Sequence, residues 1–74
     1  MSNMKRWVQE QGISYAQLAK ELGQSDASIT QKLNLKTPWQ HRDLVALRNL
    51  YGLSSDFVND FVSYESVERE KELV

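Results

Sequence analysis

The sequence predicts an all-α fold of five short helices, and three observations carry that prediction. Three glycines, Gly12, Gly23 and Gly52, each follow an apolar-periodic segment, where a residue without a Cβ can take the left-handed conformation that ends a helix. Together with Pro38 they cut the chain into pieces of helical length. None of the pieces shows the strict apolar and polar alternation of a half-buried strand. Serines at 14, 25 and 54 precede three of these pieces, and a serine hydroxyl is a favoured acceptor for the unpaired N–H groups of a first helical turn.

Taken in order, Met4, Trp7, Val8 and Gln11 fall at i, i+3, i+4 and i+7 with Lys5, Arg6, Gln9 and Glu10 turned outward, so the first segment is a short amphipathic helix. The second opens with a capping-box pair, Ser14 and Gln17, and a staple between Ile13 and Leu18. Tyr15, Leu18, Ala19 and Leu22 then repeat until Gly23, giving a helix of about eight residues. Ser25 caps a third helix from Asp26 to Leu33, with Asp26 at the positive end of its dipole. Ile29 and Leu33 read as core there, with Ala27 either joining them or standing on the broad face of small and hydrogen-bonding side chains that is left. A polar link, Asn34 to Pro38, leads to a fourth helix with Leu44, Leu47, Leu50 and Tyr51 on its apolar side. Either Thr37 with Pro38, or Gln40, starts it. Ser54 caps a fifth helix that buries Phe57, Val58, Phe61 and Val62, with Leu53 and Val58 as its staple. Beyond Tyr64 the pairs Glu65 with Arg69 and Glu68 with Lys71 suit either a helix extension or a charged tail, since Val67, Leu73 and Val74 give little apolar face. The expected organisation is one domain over residues 1–63 and a charged tail over residues 64–74.

Seventy-four residues leave room for a single core, near the ~70–80 residue size below which small domains need staples. Hydrophobic residues at 41% and charged residues at 26% suit a globular chain. The absence of cysteine excludes disulfides, thiolate metal sites and cysteine nucleophiles. The longest apolar run is four residues, Leu44 to Leu47, which fits neither a signal-peptide core nor a membrane span, so a cytoplasmic protein with no membrane partner is the simplest reading. Net charge is −1, divided into +1 over Met1 to Tyr64 and −2 over Glu65 to Val74. Charge by itself does not announce a nucleic-acid binder.

The second and third helices, joined by Gly23, Gln24 and Ser25, form a helix-turn-helix in which Ala19 is small enough for a close crossing and Leu18, Leu22 and Ile29 lock the pair. Here the chain resembles the lambda-repressor-like or Cro-like DNA-binding domains, the XRE family of phage and bacterial regulators. The residues that carry the resemblance are ISYAQLAKELGQSDASITQKLN, KTPW and LVALRNLYGLSSDF, covering about Met4 to Val62. The resemblance implies a compact five-helix fold whose recognition helix, Gln24 to Leu33, enters the major groove of a DNA operator. It also implies base-edge contacts from Gln24, Ser25, Asp26, Ala27 and Gln31, with Ser28 and Lys32 nearby. Chemistry agrees with those residue types: Gln31 suits adenine N6 and N7, Asp26 accepts from cytosine N4, and Ala27 meets a thymine methyl. Phosphate contacts are expected from Tyr15, Asn34, Lys36, Thr37, His41 and Arg42, which flank that helix and set register rather than sequence. The family commonly has glutamine at the place of Tyr15 and glycine at the place of Leu35. A left-handed backbone at Leu35 would cost a non-glycine residue energy.

Other chemistry has less to stand on. No HExxH, no phosphate-cradling glycine loop and no nucleophile with a plausible histidine partner occurs, so the chain reads as no enzyme and asks for no cofactor, metal or small-molecule ligand. His41 is the lone histidine, and Asp56 with Asp60 sits one turn apart as an ordinary surface pair does. Trp7 and Trp39 read as core, whereas Phe57 and Phe61 either complete the core or face a second subunit. A single domain reads one half-site, so a homodimer on DNA is expected, joined through the fifth helix or the tail. The alternative function is a helix-turn-helix protein-interaction module, antitoxin-like or regulator-binding, which the near-neutral charge favours.

Overall fold

A computed structural model describes residues 1–65, which form five helices and, among the described residues, no strand. They are α1 (Asn3–Gln11), α2 (Tyr15–Glu21), α3 (Asp26–Leu33), α4 (His41–Tyr51) and α5 (Ser55–Val58). The expectations placed on Val67, Glu68, Arg69, Lys71, Leu73 and Val74 lie outside the described residues.

Each helix starts where a side chain can satisfy its first N–H groups. Ser2, Ser14, Ser25 and Ser54 accept from the backbone N–H of Lys5, Gln17, Ser28 and Phe57. At α4 the boundary is Gln40, not Thr37, and the Asp43 carboxylate accepts the Gln40 N–H at 2.8 Å. The helix ends share a single device, a residue with positive φ: Gly12, Gly23, Leu35, Gly52 and Asp60. At Leu35 (φ 61°) the following N–H of Lys36 returns to the Gln31 carbonyl at 2.9 Å and that of Leu35 to Lys32, the paired closure that a left-handed residue permits. Asp60 (φ 62°) repeats the pattern, with Phe61 N–H returning to the Asp56 carbonyl at 2.8 Å.

That last closure corrects the sequence reading of the fifth helix. It does not run on to bury Phe61 and Val62, because the chain reverses at Asn59 and Asp60. Three contacts from Asn3 hold the reversal in place. Its backbone N–H donates to Asp60 Oδ1 at 2.7 Å, and its amide donates to the carbonyls of Phe57 and Val62 at 3.0 and 2.9 Å. Phe57 is therefore core, while Phe61 stands 76% exposed.

The core consists of Met4, Trp7 and Val8 of α1, Leu18 and Ala19 of α2, Ile29 and Leu33 of α3, Trp39, Leu47, Leu53, Phe57 and Val58. Burial of side chains of this size is worth roughly 1.5–3 kcal/mol each, so these positions dominate the stability of so small a domain. Of the four residues expected on the apolar side of α4, Leu47 and the half-buried Leu44 and Tyr51 face inward, whereas Leu50 is 52% exposed. Tyr51 meets Trp7 edge to face at 4.9 Å, and Tyr64 packs on Phe57 and under the Arg6 guanidinium. Trp39 is buried as expected, although its indole N–H has no hydrogen-bond partner. Among the described residues no helix is long and apolar enough to cross a membrane.

Candidate nucleic-acid interface

Helices α2 and α3 pack on each other around Leu18, Ala19 and Ile29. Gly23 (φ 67°) makes the turn between them, and the Gln24 N–H reaches back to the Ala19 carbonyl at 2.9 Å. Two clamps then fix α3 to the rest of the body. At its C-terminal end Ser2 Oγ donates to the Leu33 carbonyl at 2.7 Å, and Lys5 Nζ donates to Asn34 Oδ1 at 2.8 Å. Along its side a polar cluster joins it to α4, built from Gln24 before its first turn and Lys32 in its last. Lys32 Nζ lies 2.7 Å from Asp43 Oδ2 and 2.6 Å from Gln24 Oε1, while Gln24 Nε2 donates to Asp43 Oδ1. The ion pair is shut away from solvent, with side-chain exposures of 5% and 0%. Burial by itself would raise the Asp43 carboxyl. The donors Lys32, Gln40 N–H and Gln24, with the Lys32 charge, outweigh it and hold the group below its ordinary value.

One face of α3 is open. Asp26, Ala27 and Gln31 are exposed, as is the cap residue Ser25, whose Oγ receives the Ser28 N–H. Ser28 and Thr30 are half-buried at its margins, and the Thr30 hydroxyl donates to the Asp26 carbonyl at 2.8 Å. These side chains offer a carboxylate, hydroxyls, a carboxamide and small apolar groups, which match the donor, acceptor and methyl features of base edges.

Two residues of the expected base-reading set are turned elsewhere. Lys32 is 4% exposed and Gln24 is held between Lys32 and Asp43, so neither reaches outward without breaking the buried cluster. The signal was present in the spacing. Ile29, Lys32 and Leu33 fall at i, i+3 and i+4, and Asp43 and Leu47 at i and i+4, so both charges occupy core-facing positions.

The expected phosphate-contacting residues divide by location. Asn34, Leu35 and Lys36 follow the C-terminal end of α3; Asn34 and Lys36 are exposed and Thr37 is half-buried. Because the Lys5 ammonium only donates, the Asn34 oxygen must face it, which leaves the Asn34 amide N–H groups as outward donors suited to a phosphate oxygen. His41 and Arg42 are exposed in the first turn of α4, the turn that Asp43 ties to α3. Tyr15, the first residue of α2, is half-buried against the core. Sequence reasoning missed Lys5, a cation at the edge of this surface, because nothing in the chain connects it to a residue so far along. Among the described residues no cluster of metal-type ligands occurs. Compared with family models, curated proteins and solved structures, the chain matches none.

Proposed function

We propose that the protein binds duplex DNA sequence-specifically as a phage- or prokaryote-type transcriptional regulator acting in the cytoplasm, with a lambda-repressor-like arrangement that lays α3 in the major groove. One observation carries this reading: α3 is held at its C-terminal end by Ser2 and Lys5 and along its side by the Gln24, Lys32 and Asp43 cluster, while its face of Asp26, Ala27 and Gln31 is left open. A helix with its side chains is ~10–12 Å across and the groove is ~12 Å wide, so such a face can reach base edges. Asn34, Lys36, Thr37, His41 and Arg42, with Lys5 added, are the groups assigned to phosphates, and Tyr15 contributes its hydroxyl. Two copies with recognition helices one DNA turn, ~34 Å, apart would read a palindromic operator. Exposed Phe61 and Val62 are the assigned contact between them.

Fragments selected from a random duplex library at stated salt test the reading. Affinity should fall with salt at a logarithmic slope of ~0.9 per neutralised phosphate. Lys36→Ala should weaken every sequence and reduce that slope, whereas Gln31→Ala should relax preference at one position. Identical behaviour of the two variants would defeat the assignment. A second reading, a helix-turn-helix that binds protein, is favoured by the exposed Leu50 and Phe61; it predicts no sequence enrichment and little salt dependence.

A further inference from the structure

Gln24 precedes the cap of α3, and its carboxamide is wedged between charges of opposite sign. The Lys32 ammonium has only donors and lies 2.6 Å from Oε1; the Asp43 carboxylate has only acceptors and takes the Nε2 hydrogen. A flipped amide would set donor against donor and oxygen against oxygen, so a single orientation survives. Oε1 carries no hydrogen, and the Ser28 hydroxyl, 3.2 Å away, must therefore donate to it. With its proton committed inward, Ser28 Oγ has only lone pairs left for the outside. We propose that Ser28 is a specificity-determining residue that accepts and does not donate, and that Gln24, Lys32 and Asp43 are the positioning residues that impose this polarity.

The inference rests on the DNA reading above and sharpens it. In the major groove adenine N6 and cytosine N4 present donors, whereas guanine N7 and O6 and thymine O4 present acceptors. Ser28 thus selects an amino-bearing base at one operator position and meets guanine or thymine lone pair to lone pair. A free serine hydroxyl rotates to suit either kind of partner, so the preference arises from a buried cluster that touches no DNA.

Library selection with wild type and three variants tests it. Ser28→Ala identifies the operator position concerned, where the wild type should favour adenine or cytosine about fivefold or more. Gln24→Leu keeps the ion pair and frees the hydroxyl. It should bring guanine and thymine to within about twofold of adenine and cytosine there, with the other positions unchanged. If circular dichroism shows Gln24→Leu to be unfolded, the apolar pair Lys32→Met with Asp43→Leu releases the Gln24 amide and should flatten the same position. A wild-type preference for guanine or thymine at that position, a Ser28→Ala variant that changes no position, or a folded release variant that keeps the wild-type preference would each overturn the inference. A wild type that enriches no sequence overturns the DNA reading, and this inference falls with it.

Discussion

Replacing Asp43 by alanine tests how α3 is held. The carboxylate lies 2.7 Å from Lys32 Nζ, and both side chains are sealed from solvent. At an effective dielectric of ~20 the attraction across that distance is about 6 kcal/mol, but removing each ion from water costs several kcal/mol, so the intact pair contributes little net stability. Removing one partner is different. The Lys32 ammonium would keep Gln24 Oε1 and lose its counter-charge, and stranded buried charges cost ~3–5 kcal/mol. A domain of this length has roughly 4–11 kcal/mol in all. Urea unfolding followed by the fluorescence of buried Trp7 and Trp39 should show Asp43→Ala losing a third or more of the wild-type value. The volume-matched pair Lys32→Met with Asp43→Leu should sit within about 1 kcal/mol of wild type or above it. The acid limb carries the same information. The folded carboxyl lies below its ordinary value of 3.8, so its contribution is complete above the unfolded value and is lost as pH falls through the folded one. Asp43→Ala should flatten that limb. A cost below about 1 kcal/mol for Asp43→Ala, typical of an exposed pair, would refute the clamp.

Other perturbations follow from single contacts. The Tyr51 hydroxyl is pushed up to about 12 by burial and by its hydrogen bond to the Glu21 carboxylate, so its contribution holds below pH 10 and is lost as pH rises towards 12. Tyr51→Phe should lessen the alkaline loss in a melt series. Leu35→Gly removes a left-handed leucine that is 58% exposed; relief of ~1–2 kcal/mol set against ~0.5–1 kcal/mol of added chain entropy predicts a modest rise in Tm, and a fall would show that Leu35 packs usefully. Asn3→Ala deletes two amide donors to the Phe57 and Val62 carbonyls and should cost ~1–3 kcal/mol in urea unfolding, with proteolytic cleavage appearing first around Asp60.

Most helix boundaries were legible because they are local. A serine hydroxyl three residues from the N–H it accepts, and a glycine free of Cβ strain, act within one turn, so Ser14, Ser25, Ser54, Gly12, Gly23 and Gly52 declare themselves in the chain. Asp60 does the same work as those glycines, yet its identity carries only a weak preference for the left-handed region. It takes that conformation alongside its bond to the Asn3 N–H, more than fifty residues earlier in the chain, and for that reason the fifth helix was read too long. The open face of α3 was readable from its polar spacing, whereas the inward turn of Lys32 was only weakly signalled by its place three residues after Ile29, a signal that the ordinary solvation of a lysine outweighs unless a partner is already buried.

The order of helices, the caps at Ser14, Ser25 and Ser54 and the identity of nearly all the core residues were determined by sequence alone, since each depends on propensity, spacing and neighbours within a turn. Tertiary structure alone decided where the charges went. It set Asp43 of α4 opposite Lys32 of α3, locked the Gln24 amide between them, and brought Ser2 and Lys5 to the C-terminal end of the same helix. The physical reason is that a buried charge is tolerated only when its partner is supplied from another element. Which element comes close enough is settled by packing of the whole chain and by no local pattern.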